Sequence, residues 1–444
     1  MKEVVIPEDK KYRFPSFKKI DYNRLKLVIA YENANWIVLY NKEQESFFEL
    51  LQTYNLKDAL CYYNGSSENI MNVLIQIDAT DFENSTTTSL EPPMGLHLYV
   101  TNGCNLRCPH CYMAAGLQNK NELTTQEIFD LLKAFADNGG VHVTFSGGEP
   151  SLREDLIEII RFAKLECNLE TEVYSNGIKW AEDTNYIINL SKYLDYIQIS
   201  IDGYSENKNA SLRGGNIFTK IIDSIDNYLT NNIKTTIAIT PNFEENPEND
   251  VKKYIEFGHF LLEKYKNPNF RLIYSGRILD GRDITYSPSY KTRYKELINR
   301  INISLFGVNA DTDINAFRKS HHIKNNCAYG NLVIDAQGNV YYCSRIPEMK
   351  PAANIRHIDF KEIVRMSKYA QKKSRVENLN PCNKCELRNI CGGDCRIEYF
   401  PDFCDCSSIN SDNTYTRKCS QEIKNSFYEC MIKAQEVLFK PANR

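Results

Sequence analysis

Cys104-Asn-Leu-Arg-Cys108-Pro-His-Cys111 sets three thiols at spacings of four and three residues. Three thiolates so spaced can hold three irons of a four-iron cluster, leaving the fourth iron without a protein ligand. An open metal position suits catalysis, whereas a structural site is closed. A structural zinc site is the competing explanation and fits this spacing less well. The second run able to do chemistry is Ser146-Gly147-Gly148-Glu149-Pro150. Two glycines let a backbone approach a ligand closely, and the Glu149 carboxylate can meet an ammonium. Ser175-Asn176-Gly177 and Ser200-Ile201-Asp202-Gly203 carry small polar groups that can hydrogen-bond a ribose or cap a loop. Arg213 stands in Ser-Leu-Arg-Gly-Gly, while Gly276-Arg277 and Gly281-Arg282 take no role from the sequence.

The remaining thiols gather near the C-terminus. Cys327 and Cys343 flank LVIDAQGNVYY, which reads as two strands about Ala336-Gln337-Gly338. A hairpin returns the chain, so both thiols can meet at its open end. Cys382-Asn-Lys-Cys385 follows, then five residues, then Cys391-Gly-Gly-Asp-Cys395. Two zinc knuckles would need four thiolates each. Downstream of a four-iron motif, iron–sulfur binding is the better expectation. Cys61, Cys167 and Cys430 lie in helical patterns and are expected in the core.

These residues need a scaffold. The chain has 444 residues, enough for about three domains. Hydrophobic residues make up 42% and charged residues 25%, which excludes disorder and collagen-like structure. Fifty-four basic against 57 acidic residues leave a net charge of -3, with no footprint for nucleic acid. No apolar run reaches the ~18 residues of a membrane helix. MKEVVIPEDK lacks the apolar core of a secretory signal. A cytoplasmic location is expected, where 15 Cys serve metal or redox chemistry rather than a disulfide framework.

Residues 1–24 read as a loose arm, followed by two strands about Asn33-Ala34-Asn35. Asn41 caps a helix with Phe47, Phe48 and Leu51 on one face, and two short helices follow. A winged-helix-like module over 1–85 results, with a linker over 81–95. From 96 to 305 strands alternate with helices: LHLYV, HVTFS, TEVYS, YIQIS, TTIAIT and RLIYS. The first helix opens on a capping box, Thr124 with Glu127. Such alternation predicts an α/β fold, a partial (β/α)6 TIM-type barrel with its chemistry at the strand C-termini. Residues 306–444 form a third, Cys-rich domain.

The motif Cys104, Cys108, Cys111 followed by Tyr112 resembles the signature of the radical S-adenosylmethionine (SAM) superfamily. The resemblance implies that the open iron chelates the amine and carboxylate of SAM. One electron then splits the sulfonium, and a 5'-deoxyadenosyl radical takes hydrogen from the substrate. Gly147, Gly148 and Glu149 resemble the family's methionine-binding GGEP run. By the same resemblance Asn176 and Ser200 contact the ribose, and Arg213 pairs with the methionine carboxylate.

The C-terminal cysteines resemble the SPASM domain, from Gly338 with Cys343 through Cys382, Cys385, Cys391 and Cys395. That resemblance implies two auxiliary 4Fe-4S clusters beside the SAM-binding one. One takes Cys327, Cys343 and Cys395; the other takes Cys382, Cys385, Cys391 and a last Cys. Cys404, Cys406 and Cys419 all follow, and Cys419 fits best, just before the terminal helix. Related members carry a further Cys upstream of the Cys327 position, where this chain has His321 and His322. An open iron at that cluster is the consequence, unless Cys404 or Cys406 reaches it.

The N-terminal module resembles leader-recognition domains of enzymes that modify ribosomally made peptides. YSNG and QISIDG resemble runs in sactipeptide and ranthipeptide maturases, which form thioethers. The expected partners are therefore a precursor peptide with a leader, and a reductant such as flavodoxin or ferredoxin. Carbon–carbon crosslinking, epimerisation and sulfatase-type Cys or Ser oxidation are the alternatives within the family. An iron–sulfur electron carrier would leave Gly148, Glu149 and Arg213 incidental. A DNA-binding winged helix is disfavoured by the acidic KEQESFFELLQT.

Overall fold

The computed structural model describes residues 6–83, 94–307, 327–410, 415–416 and 421–439. Three antiparallel strands open the chain: β1 (Lys18–Tyr22), β2 (Leu25–Ala30) and β3 (Asn35–Leu39), in that spatial order. The arm is therefore not loose over Lys18–Tyr22. Asn23 and Arg24 form a two-residue turn with φ of 50° and 65°. That is the turn geometry that matches strand twist. Without a glycine it left no signal in the sequence. Ahead of β1, Phe14 packs on Phe48 with ring centroids 4.9 Å apart.

Helices α1 (Lys42–Thr53), α2 (Leu56–Tyr62) and α3 (Ser67–Ala79) cover one face of this sheet. The Asn41 side chain accepts from the Gln44 N–H, and Phe47, Phe48 and Leu51 are buried as expected. Phe82, within the expected module and at the start of the expected linker, is fully buried in the same core. Residues 84–93 of that linker lie outside the described residues. Cys61 is exposed, correcting its expected place in the core. The buried face of α2 carries Leu56 and Ala59, and Cys61 points off it.

Six parallel strands then run in sequence order: β4 (Met94–Thr101), β5 (Gly140–Gly147), β6 (Glu170–Ser175), β7 (Tyr196–Ser200), β8 (Lys234–Ile239) and β9 (Phe270–Tyr274). Between or after them lie α4 (Thr125–Asp137), α5 (Leu156–Leu165), α6 (Ile178–Glu182), α7 (Thr184–Leu190), α8 (Glu206–Arg213), α9 (Phe218–Thr230), α10 (Glu248–Lys264) and α11 (Pro288–Phe306). Both halves of the α4 capping box form. The partial barrel is thus as the alternation predicts.

The sheet is wider than six strands. β10 (Leu332–Ile334) pairs parallel with β4, and β11 (Asn339–Tyr341) and β12 (Ala353–Asn354) extend it to nine. The expected Cys-bearing hairpin is therefore part of the barrel sheet. Arg356, after β12, reaches back to the capping-box carboxylate, with Nε 2.5 Å from Glu127 Oε1. Those bonds hold the Glu127 carboxyl down at about 2.

Helix α12 (Phe360–Lys373) precedes the short strand pair β13 (Leu379–Asn380) and β14 (Tyr415–Thr416). The terminal helix α13 (Gln421–Phe439) packs on the first sheet. Leu27, Ile29 and Trp36 meet Tyr428, Met431 and Ala434 in one buried cluster. Gln435 Nε2 donates to the Trp36 carbonyl at 3.1 Å, and Gln76 bonds both the N–H and the carbonyl of Val38. The β3 edge is thereby closed by the chain's own side chains. Of this three-stranded sheet, β1 is left as the open edge among the described strands.

The barrel floor, at the strand N-termini, holds a charged cluster. His142 lies 3.2 Å from Glu172 and 3.3 Å from Glu170, and Tyr196 donates to Glu170. The hydrogen bond with Glu172 chiefly pushes the His142 imidazole up. A raised folded value stabilises fully below the unfolded value of about 6.5, and the gain fades as pH rises through the folded value. Replacing His142 with Gln should therefore destabilise the protein more at pH ~5.5 than at pH ~8.5. Urea unfolding midpoints of both proteins at the two pH values check this, and a pH-independent difference contradicts it.

Candidate active site

The loop after β4 carries the first cysteines. Cys104 N–H donates to the Gly116 carbonyl and Gly116 N–H to the Asn102 carbonyl, which closes the loop on itself. Leu106 N–H donates to the Cys104 sulfur at 3.4 Å. The loop lies directly on β5. Gly148 N–H donates to the Thr101 carbonyl and Glu149 N–H to the Gly103 carbonyl, each at 2.8 Å. A Cβ on Gly147 would stand 2.2 Å from the Thr101 oxygen, and one on Gly148 2.2 Å from the Gly103 oxygen. Both glycines are thus required by the approach of another backbone, where the sequence suggested the approach of a ligand.

The loop after β9 holds the cysteine loop from the other side. Arg282 N–H donates to the Cys111 carbonyl and Asp283 N–H to the Pro109 carbonyl, and the Arg282 guanidinium bonds the Ala115 carbonyl. Gly281 is needed because a Cβ would come 2.4 Å from His110 Cα. This gives Gly281-Arg282 the role that sequence reasoning could not assign.

A cavity of about 380 Å³ opens at the strand C-termini. Cys104, Cys108 and Cys111 line it with Tyr112, Gly147 and Gly148. Asn176, Ser200 and Arg213 line it as well. Glu149 does not. Its carboxylate is fully buried and accepts from Ser151 N–H, Ser175 Oγ and Asn176 N–H. It fixes the end of β6 from behind the cavity wall. Asn176 Nδ2 in turn donates to Asn105 Oδ1 at 2.8 Å, within the cysteine loop.

Arg213 is anchored at Asp202, with Nε 2.6 Å from Oδ2. His110 Nε2 meets the same oxygen at 2.8 Å, and Thr240 N–H donates to Oδ1. Burial opposes the Asp202 charge, but Arg213 and His110 outweigh it and hold the carboxyl at about 2. His110 and the cavity residues Tyr174 and Gln198 were not singled out from the sequence. The position of His110 between two cluster cysteines was the available signal.

The C-terminal thiols fall into two groups. Cys327 and Cys395 share a hydrogen bond, which together with burial pushes the Cys327 thiol up and, helped by Arg345 and Arg277, pulls the Cys395 thiol down. Cys343 lies beside them, in the loop leaving β11. Tyr112 Oη is 2.9 Å from Tyr99 Oη, which contacts the Ser344 carbonyl at 3.5 Å. The two cysteine regions are therefore one hydrogen-bonded step apart on each side of a tyrosine pair. Cys382, Cys385 and Cys391 line a separate cavity of about 280 Å³ with Ile423 and Phe427 of α13. Cys419, like His321 and His322, lies outside the described residues. Cys404 and Cys406 pack in the same core as Cys327 and Cys343, and Tyr329 Oη donates to the Cys406 sulfur.

No three ligating side chains among the described residues converge on a single-ion position. Cys104, Cys108 and Cys111 instead line one cavity and Cys382, Cys385 and Cys391 another, the arrangement a multi-iron cluster needs. Burial pushes the Cys104 and Cys108 thiols up, so iron binding must displace their protons.

Comparison with known proteins agrees with this geometry. Residues 98–258 match the radical SAM superfamily and residues 326–386 the SPASM iron–sulfur cluster-binding domain. The chain is a radical SAM enzyme with a SPASM domain, and its cofactors are SAM and 4Fe-4S clusters, SAM-binding plus auxiliary. It is 24% identical to mycofactocin maturase MftC of Mycolicibacterium smegmatis, over 70% of this chain and 80% of that one. It is 25% identical to the sporulation killing factor maturation protein SkfB of Bacillus subtilis, over 66% of this chain and 70% of that one. A match at 32% to Fe-coproporphyrin III synthase of Methanosarcina barkeri covers only 40% and 44%. Streptococcus suis SuiB bound to SAM superposes with a TM-score of 0.52 at 17% identity, over 94% of this chain and 99% of that one. That likeness shows the fold alone. Among the described residues no helix is long and apolar enough to cross a membrane.

Two outcomes follow from this geometry. Replacing Cys104, Cys108 and Cys111 together with Ala should leave auxiliary iron in place and abolish 5'-deoxyadenosine formation. Iron analysis and chromatography check both. Gly148→Ala should push the cysteine loop off β5 and lower 5'-deoxyadenosine formation on the order of 100-fold, since a displacement near 1 Å at a reacting centre costs that much. Activity within a few-fold of native would contradict it.

Proposed function

We propose that the enzyme is a peptide maturase that installs a Cys-sulfur-to-carbon thioether in a ribosomally made precursor. The observation that carries this reading is the shared wall between two cysteine regions. Arg277 lines the cavity of Cys104, Cys108 and Cys111, and its Nη2 lies 3.3 Å from Oδ1 of Asp394, next to Cys395. Hydrogen abstraction and a thiol-binding cluster would thus face one substrate space. The similarity to two maturation proteins, MftC and SkfB, supports the same class of substrate.

In this reading Cys104, Cys108 and Cys111 hold the cluster that supplies the electron for SAM cleavage. Arg213, Asn176, Ser200, Gly147 and Gly148 shape the SAM cavity, with Tyr112 at its wall. Cys327, Cys343 and Cys395 hold the first auxiliary cluster. Cys382, Cys385, Cys391 and Cys419 hold the second. When bound, SAM and its cluster would supply the radical that takes a hydrogen atom from a peptide carbon. The peptide's cysteine thiolate then bonds that carbon, and one electron must leave to an auxiliary cluster. A reductant of the flavodoxin or ferredoxin type restores the electron used in SAM cleavage.

The module over residues 6–83 is proposed to receive the peptide leader as an added strand. With β3 closed, that strand belongs on β1. Tyr22 and Leu25 flank the two-residue turn as a hydrogen-bonded pair, so Lys19 and Asp21 turn their N–H groups outward. Asp21→Pro should remove one outward donor, spare the ladder to β2, and weaken peptide binding about tenfold. Fluorescence anisotropy with a labelled precursor measures this, and native affinity would sink the β1 assignment.

The decisive experiment is anaerobic incubation with a Cys-containing precursor encoded beside the enzyme. A thioether removes two hydrogens and consumes the peptide thiol. A carbon–carbon link removes two hydrogens but leaves the thiol open to alkylation, and epimerisation leaves the mass unchanged.

A further inference from the structure

Arg345 follows the auxiliary ligand loop by two residues, and its Nη1 donates to the Cys395 sulfur at 3.4 Å. The guanidinium is not free to swing away. Glu348 grips it through two bonds of 2.6 Å, from Nε and Nη2, which leaves Nη1 aimed at the sulfur. From the barrel side Arg277 bonds Asp394, the residue before Cys395, and its charge acts on the Cys395 thiol. Asp394 is itself held in a left-handed conformation, φ 62°, with its Oδ1 accepting the Cys395 N–H at 2.8 Å. Two cations from two different domains thus converge on one of the three thiolates expected at the first auxiliary cluster. Glu348 and Asp394 pair with the two guanidinium groups and offset part of their charge, but only Arg345 is largely buried, and its N–H is donated to the sulfur itself.

We propose that Arg345 and Arg277 are positioning residues that make this cluster the electron acceptor of the reaction, by placing positive charge and an N–H donor on the Cys395 thiolate. The proposal rests on the ligand assignment given under Proposed function. Hydrogen bonds and charge at cluster sulfurs are established determinants of cluster potential. Reduction adds one negative charge to the cluster, and adjacent cations stabilise that state. The electron released when the peptide thiolate bonds the carbon radical then has a favoured destination. One cluster gains one electron, and one sulfur–carbon bond forms.

The test is potentiometric titration of the full, iron-loaded chain, followed by electron paramagnetic resonance. The Cys104, Cys108 and Cys111 to Ala background removes the SAM cluster signal. Adding Cys343→Ala identifies which remaining signal belongs to the first auxiliary cluster, and persistence of both signals would defeat the ligand assignment by itself. With the signal assigned, Arg345→Gln should lower its midpoint and leave the other in place. A tenfold fall in the reduced-to-oxidised ratio at fixed potential corresponds to 59 mV for this one-electron couple. An unmoved midpoint with full iron, or an equal shift of both signals, overturns the proposal. Should Arg345→Gln lose iron, Arg277→Gln decides, because its side chain is largely exposed and anchors on Asp394. A downward shift there supports the proposal, and an unchanged midpoint overturns it.

Discussion

The site depends on one backbone-on-backbone contact. Residues 101–103 lie against Gly147 and Gly148 with no side chain between them, joined by two N–H to carbonyl bonds. No other residue type leaves that space. The contact delivers Cys104 to the cavity mouth and turns the next residue, Glu149, inward. Buried there, Glu149 uses its oxygens on Ser175 and Asn176 and so fixes the end of β6. Asn176 then reaches Asn105 and returns the linkage to the cysteine loop. Three strand ends are set by one close approach.

Charge completes what packing begins. Asp202 is nearly inaccessible, yet it gathers His110 from the cysteine loop, Arg213 from α8 and the Thr240 N–H after β8. A buried carboxylate is tolerated only with such partners, and losing one of them leaves an uncompensated charge that typically costs about 3–5 kcal/mol. The node therefore couples the cysteine loop to the far side of the barrel. Arg277 and the pair Tyr99 and Tyr112 extend the coupling to the SPASM cysteines. Because β10 joins the barrel sheet beside β4, the two cysteine regions share one rigid frame.

The N-terminal module illustrates a different constraint. A three-stranded sheet exposes two edges, and an unpaired edge invites pairing by another strand. Here Gln76 and Gln435 occupy the backbone groups of Val38 and Trp36, so α3 and α13 seal β3. The terminal helix α13 is thus also a structural wall of the N-terminal module. Any peptide added as a strand is directed to β1, beside the cavity of Cys382, Cys385 and Cys391, which Lys18 also lines.

Strand and helix order over 94–307 was legible, because buried parallel strands and amphipathic helices each impose a short-range period. So were the thiols, since ligand spacing within one loop is local. β1 was hidden, because Asn23 and Arg24 adopt a turn normally marked by glycine, and Cys61 was misplaced by a pattern one face out of register. The sequence alone determined the cysteine motif, the GGEP run and the alternation that puts both at one barrel mouth. Only the tertiary structure decided that Glu149 faces away from the cavity, that Arg282 clamps the cysteine loop, and that Arg277 and Arg345 meet at Cys395. Each of those depends on contacts between residues far apart in the chain, whose pairing is set by packing and charge burial and leaves no period in the sequence.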